Sequence, residues 1–222
     1  MSYCIAVDGP AGAGKSTIAK LVAKKMGLVY VDTGAMYRAM ALFMLREGIA
    51  PADGAAIDEK CKEAQVTLRY ENGEQVVFLN GENVNAYIRT EEVGNMASAI
   101  SPRKQVRQKL VSLQKALAEN TDLIMDGRDI GTCVLPGADV KIYLTASSLV
   151  RAKRRFEELT AKGETCDLEK IKEDIEKRDE QDMTREESPL RRAEDAVLLD
   201  SSDLSIEEVV EEILKICNDK KR

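Results

Sequence analysis

Gly9-Pro10-Ala11-Gly12-Ala13-Gly14-Lys15-Ser16 fills every fixed position of the phosphate-binding pattern G-x-x-x-x-G-K-[ST]. The apolar run at 3–7 precedes it and a helical stretch at 17–26 follows it. Between a strand and a helix, successive backbone N–H groups can turn inward around phosphate oxygens, and the helix N-terminus adds partial positive charge. Gly9, Gly12 and Gly14 permit backbone angles that a Cβ would oppose. Lys15 can reach the β- and γ-phosphates, and the Ser16 hydroxyl can ligate Mg²⁺. The stretch points to nucleoside triphosphate binding.

Outward from this loop, helical patterns alternate with short apolar runs, the signature of an α/β fold with a parallel sheet and helices on both faces. The expected core strands are 3–7, 28–31, 123–125, 140–144 and 196–199. Gly27 reads as a left-handed cap closing the first helix. Ser101-Pro102 reads as the start of another helix, with Ser as N-cap, Pro at the first position, and Val106, Leu110, Leu113 and Leu117 on one face. Ser205-Ile-Glu-Glu208 is a capping box opening a C-terminal helix striped by Val209, Ile213 and Ile216.

Two segments break the alternation. Residues 66–70 and 75–79, joined at Asn72-Gly73 and followed by a second turn at Asn80-Gly81, read as a β-hairpin in a small antiparallel insertion. Residues 150–189 are charge-rich and read as one or two exposed helices around Gly163, in the simplest view a solvated hairpin laced with ion pairs.

Composition removes several functions. With 222 residues the chain suits one large α/β core with small insertions. A net charge of −6 argues against a nucleic-acid coat. No apolar run is long enough for a membrane span, and the first strand begins too early for a signal peptide. Five scattered cysteines without a C-x-x-C pair suggest free thiols in the cytoplasm. There is no histidine, so Ser-His-Asp triads, Cys-His dyads and His-ligated zinc are excluded. Phosphoryl transfer needs none of them, since its catalysis is positioning and charge stabilisation. Asn-Lys-x-Asp and Asp-x-x-Gly, the marks of a switch GTPase, are absent.

A small-molecule kinase needs further cationic parts facing the loop. They are found in Asp32-Thr-Gly-Ala-Met-Tyr-Arg38, in Ile124-Met-Asp126-Gly-Arg-Asp129-Ile-Gly-Thr132, and in Arg178-Asp-Glu-Gln-Asp182-Met-Thr-Arg185. Asp126 stands where a Walker-B-like carboxylate would.

Taken in order, GPAGAGKST, VDTGAMYR, IRTEEV at 88–93, MDGRDIGT, VKIYLTAS and the R-D-x-x-D-x-x-R run resemble the bacterial cytidylate kinases, within the nucleoside monophosphate kinases. The resemblance spans nearly the whole chain. It implies a P-loop core (1–32, 99–149 and 190–222), a monophosphate-binding domain with the β insertion (33–98), and a mobile helical lid (150–189). It implies transfer of the γ-phosphoryl of Mg-ATP to CMP or dCMP by a cytoplasmic enzyme, expected as a monomer.

The implied roles follow residue by residue. Gly9, Pro10, Ala11, Gly12, Ala13, Gly14, Lys15, Ser16 and Thr17 would hold ATP, with Arg154 and Arg155 as lid arginines. Thr33, where the family often has Ser, would lie near the acceptor. Arg38 and Arg128 would clamp the CMP phosphate, while Ser98, Arg107 and Asp129 read cytosine. Arg178 and Asp182 would address the acceptor's sugar and phosphate, and Arg185 the transferring group. The catalytic set is Lys15, Arg128, Arg178 and Arg185. Ser16 and Asp126 would serve the metal, directly or through water. Gln181 and Met183 stand where some relatives carry further arginines, which leaves the number of lid cations open. A related kinase of UMP, AMP or an alcohol, with Asp32 as base, and a non-catalytic nucleotide-binding regulator are the alternatives.

Overall fold

The computed structural model describes residues 2–71 and 73–220. Two compact units emerge from the described residues: Tyr3–Leu28 with 123–220, and Val29–Asp122 with Ser2.

In the first unit, β1 (Cys4–Asp8) is buried along its whole length. It pairs in parallel with β6 (Leu123–Gly127) on one side and β7 (Val140–Thr145) on the other. β8 (Val197–Asp200) extends the sheet beyond β7. Strands covered on both faces carry continuous apolar runs, as 4–7 and 123–125 do. The carboxyl ends of β1, β6 and β7 lead into the phosphate loop, the Arg128-Asp129 turn and a charged helix, the edge where α/β sheets bind ligands.

α1 (Lys15–Met26) ends as expected at Gly27, whose φ of 69° accompanies an N–H bond to the Ala23 carbonyl. α8 (Ile206–Lys220) opens with the expected reciprocal box, Ser205 N–H to Glu208 Oε2 and Glu208 N–H to Ser205 Oγ. The charged segment forms two helices, α6 (Ser148–Ala161) and α7 (Leu168–Thr184), packed on each other, with Gly163 left-handed after the first.

The second unit holds β2 (Val29–Asp32), α2 (Thr33–Arg46), α3 (Gly54–Lys60), β3 (Val66–Glu71), β4 (Glu74–Leu79), β5 (Glu82–Asn83), α4 (Glu91–Ile100) and α5 (Lys104–Ala118). β3, β4 and β5 make the expected antiparallel sheet, in which Val66 faces Leu79 and Tyr70 faces Gln75. Asn72 of the expected turn lies outside the described residues. α2 is apolar on most of its surface because α4 covers one side and the hairpin another. Met36, Met40 and Met44 there meet Ile57, Ile88 and Met96 in a fully enclosed core.

These units cut the chain elsewhere than the three-part division that the resemblance implies. α5 goes with the hairpin unit, and residues 150–189 go with the phosphate-loop unit.

Ser101 does not N-cap the helix that follows it. α5 begins at Lys104, and Ser101 closes α4, its N–H bonded to the Ala97 carbonyl. Its hydroxyl donates back to the Ser98 carbonyl at 3.0 Å and is spent on the preceding helix. Pro102, lacking an N–H, stops α4 there and does not start α5.

Candidate active site

The phosphate loop has the backbone that its glycines allow. A Cβ on Gly9 would sit 1.9 Å from the Leu144 carbonyl oxygen, so this position excludes every larger residue. Gly14, at φ 87°, forms the N-cap of α1, whose first turn carries no acidic side chain. The positive end of the helix is left for an anion. Lys15 is buried and its Nζ donates to the Pro10 carbonyl of its own loop at 2.7 Å. Burial, and then the charge of Arg128, pull its ammonium down to about 7. An arriving phosphate would reverse that penalty. Ser16 Oγ lies 3.0 Å from Asp126 Oδ2 at the end of β6.

After β6 the chain runs through Arg128 and Asp129 into a single π-helical turn, Ile130–Val134. Asp129 makes no side-chain cap on that turn. Asp8, the last residue of β1, does the holding. Its two carboxylate oxygens accept the N–H groups of Ile130 and Gly131, each at 2.7 Å. Burial pushes the Asp8 carboxyl up to about 6 against these two hydrogen bonds, which pull it down.

The charged helices are less solvated than their composition suggests. Arg151, Asp179, Asp182 and Arg185 are all buried. Arg128 Nε donates to Asp182 Oδ2 at 2.8 Å. Arg185 donates through Nε and Nη2 to the Ser188 carbonyl and lies 3.5 Å from Asp129 and 3.6 Å from Asp182. The loop after β6 and the end of α7 therefore share one network of alternating charge. Arg178, a turn before Asp182 on α7, is half-buried. Arg154 donates to Ser201, and its guanidinium would lie 3.9 Å from a Cβ on Gly14 of the phosphate loop. Arg155 is exposed and paired with Glu158.

In the other unit, Asp32 caps α2 by accepting the Ala35 N–H at 2.8 Å. Its other oxygen receives Arg38 at 3.0 Å and Arg89 at 3.4 Å. Arg38 Nε is buried with no partner. Thr33, the first residue of α2, is buried, as is Arg107 on α5, whose guanidinium lies 5.9 Å from the Tyr37 ring centre. Ser98 is half-buried on α4. Gln75 of the hairpin holds the Asp32 backbone from both sides, accepting its N–H at 2.8 Å and donating to its carbonyl at 3.2 Å.

Sequence reasoning gave no role to Asp8, Arg151, Arg89, Asp179 or Gln75. For Arg151 a signal existed: it lies three residues before Arg154, on the same helical face. Asp8 carried none, since a carboxylate before a glycine-rich loop reads as part of the turn. No cluster of three or more potential His, Cys, Asp or Glu ligands occurs among the described residues. One hydroxyl and one carboxylate side by side still suit Mg²⁺, which keeps waters and takes its remaining oxygens from substrate phosphates.

A complete phosphate loop on parallel strands, with a carboxylate beside its serine and buried arginines nearby, defines a P-loop kinase. Solved structures agree on the fold. A shikimate kinase from Acinetobacter baumannii is similar over 100% of this chain and 96% of its own, at a TM-score of 0.50 and 14% identity. A gluconokinase from Sinorhizobium meliloti is similar over 99% and 94%, also at 0.50 and 14%.

The chain belongs to the cytidylate kinase family, whose sequence model matches residues 5–219. It is 51% identical to the cytidylate kinase of Caldicellulosiruptor bescii over 96% of this chain and 94% of that one. The cytidylate kinase of Listeria innocua is 49% identical over 98% and 96%.

Proposed function

We infer that this protein transfers the γ-phosphoryl group of ATP to CMP, forming CDP and ADP, with dCMP as a second acceptor. The observation that carries this reading is a half-identical match to cytidylate kinases over nearly both full lengths, in a chain with every element of the phosphate loop.

The acceptor is a phosphate monoester whose second pKa is roughly 6, so it is mostly dianionic at neutral pH. It needs no general base, in accord with a chain without histidine. Catalysis then consists of aligning two anions and neutralising their charge. Lys15 stabilises the transferring group together with Arg128, Arg178 and Arg185. Mg²⁺, held through Ser16 and Asp126, supplies charge neutralisation on the ATP phosphates when bound. Arg154 approaches ATP from α6, and Arg155 is the weaker member of that pair because its charge is matched by Glu158.

On the acceptor, Arg38 and Arg128 take the phosphate, and the unpartnered Nε of Arg38 is a ready donor for it. Cytosine offers an N4 donor to Asp129 and acceptors to Arg107 and Ser98. Thr33, Arg178 and Asp182 complete the acceptor contacts. The functional division is a core (1–32, 99–149, 190–222), a monophosphate domain (33–98) and a lid (150–189), in a cytoplasmic monomer.

An alcohol kinase is disfavoured by Asp32, the base it would require, because that carboxylate is committed to the Ala35 N–H and two arginines. A coupled ADP-release assay with CMP, dCMP, UMP, AMP and shikimate tests the reading. CMP and dCMP should turn over and shikimate should not. No turnover with any acceptor would leave a non-catalytic nucleotide binder.

A further inference from the structure

α6 starts where β7 ends, and its first turn sets Arg151 against the phosphate loop. The side chain is 5% exposed, and each of its three guanidinium nitrogens has a different partner. Nε donates to the Ala146 carbonyl at 2.8 Å, within the turn that begins the helix. Nη1 donates to the carbonyl of Ala11, in the phosphate loop itself, at 2.9 Å. Nη2 pairs with Asp179 Oδ2 on α7 at 2.7 Å. The Arg151 Cβ would lie 3.3 Å from a Cβ on Gly12, so the helix rests directly on the loop.

The contacts to Ala11 and to Asp179 reach segments far apart in the chain; the Asp179 pair is largely buried and the Ala11 bond is part-buried. The planar fork of arginine allows one residue to hold a carbonyl and a carboxylate in fixed relative directions. Binding of phosphate by such a loop depends on its N–H groups pointing inward, and a loop carbonyl held by a partner outside the loop helps to fix that pose. Arg151 holds the one at Ala11. Asp179 keeps Arg151 in that pose, and its other oxygen, Oδ1, is buried with no partner, so the pair is not a casual surface contact. Asp179 also directly follows Arg178 and stands one helical turn before Asp182.

Resting on the kinase reading, we propose that Arg151 and Asp179 form a positioning clasp that fixes the outward carbonyl of the phosphate loop to α7. The clasp makes ATP affinity depend on a carboxylate in a helix that need not touch ATP. Its role differs from that of an arginine contacting the nucleotide, because Arg151 acts through Ala11 and only with Asp179 in place.

The test is a double-mutant cycle of Arg151→Met, Asp179→Leu and the pair together, which replaces the buried ions by apolar groups of similar size. Calorimetry measures the Kd of Mg·AMP-PNP on each full-length protein without acceptor, beside a melting curve. The two single variants should each weaken binding by about tenfold, and the double should be no weaker than the worse single. Arg151→Lys and Asp179→Asn serve if either apolar single fails to fold. They should weaken binding in the same direction.

Three outcomes overturn the proposal. Independent effects that multiply in the double variant would make Arg151 a direct nucleotide contact. Loss of binding with Arg151 variants but not with Asp179 variants would do the same. A fall in melting temperature with Kd unchanged within about twofold would leave the pair a purely structural one. A wild-type protein that binds Mg·AMP-PNP but phosphorylates no acceptor would instead remove the kinase reading, and the cycle on Kd would still decide the clasp.

Discussion

Arg128 and Arg185 are held apart by Asp182, which accepts Arg128 Nε on one carboxylate oxygen at 2.8 Å and faces Arg185 Nη1 with the other at 3.6 Å. One buried carboxylate thus sets the spacing of two cations, and Asp129 offsets the second from the other side. Cations prearranged in a poorly hydrated site act on developing charge without reorganising, where a solvated arginine would be screened.

Arg185→Ala should therefore lower kcat for CMP by about a hundredfold, as for loss of one charge stabiliser. It should also lower stability by on the order of 3 kcal/mol, because it leaves buried carboxylates short of a partner. The expectation of an exposed ion pair had no stability cost; burial of the side chain adds one. Arg185→Lys should recover part of each. A folded Arg185→Ala protein with wild-type kcat would remove this residue from the reaction.

Lys15→Met should reduce turnover by at least about a hundredfold. Since the fold already disfavours the Lys15 charge, holding it down to about 7, the melting temperature should stay level or rise. A variant that melts normally and keeps more than about a third of the wild-type kcat would contradict the proposed role.

Asp129→Ala should lower kcat/KM for CMP by roughly 1–3 kcal/mol equivalent and narrow the CMP-to-UMP ratio, since UMP presents an acceptor where CMP has a donor. Equal losses on both substrates would mean that Asp129 serves to balance Arg185 and does not read the base.

Asp8 predicts a pH dependence of stability. Its carboxyl is raised from the ordinary 3.8 to about 6, so the folded state holds the proton more tightly than the unfolded one. The resulting stability is present below the ordinary value and lost as pH rises through about 6. Asp8→Asn has no such proton. The stability of wild type relative to Asp8→Asn, from urea unfolding at pH 4.5 and 7, should fall with rising pH. A constant difference would show that ionised Asp8 is not penalised in the fold.

Gln75→Ala should raise KM for CMP severalfold while KM for ATP changes little. It removes two hydrogen bonds that locate the Asp32 backbone at the start of α2, each worth about 1 kcal/mol. Steady-state titrations of each substrate decide it. Equal changes in both KM values would assign Gln75 to general stability.

Much of the fold was legible where short-range chemistry decides it. All five expected core strands formed within a residue or two of their expected bounds, as did the Gly27 cap, the Ser205 box and the hairpin. Ser101-Pro102 misled because a serine hydroxyl can serve either neighbouring helix, and here it turned back to Ser98. The charged segment misled in a different way. Its composition signals solvent exposure, yet Arg151, Asp179, Asp182 and Arg185 are buried because their charges meet one another.

The residues of the phosphate loop determined nucleotide binding, the absence of histidine removed competing chemistries, and the order of the motifs pointed to phosphoryl transfer, because each is local or compositional. Tertiary structure alone decided which charges are neutralised by which partners. Asp8 meets Ile130 across 122 positions and Arg151 meets Ala11 across 140. No periodicity or spacing encodes such pairs, since burial and ionic contact depend on where the parallel strands end beside one another.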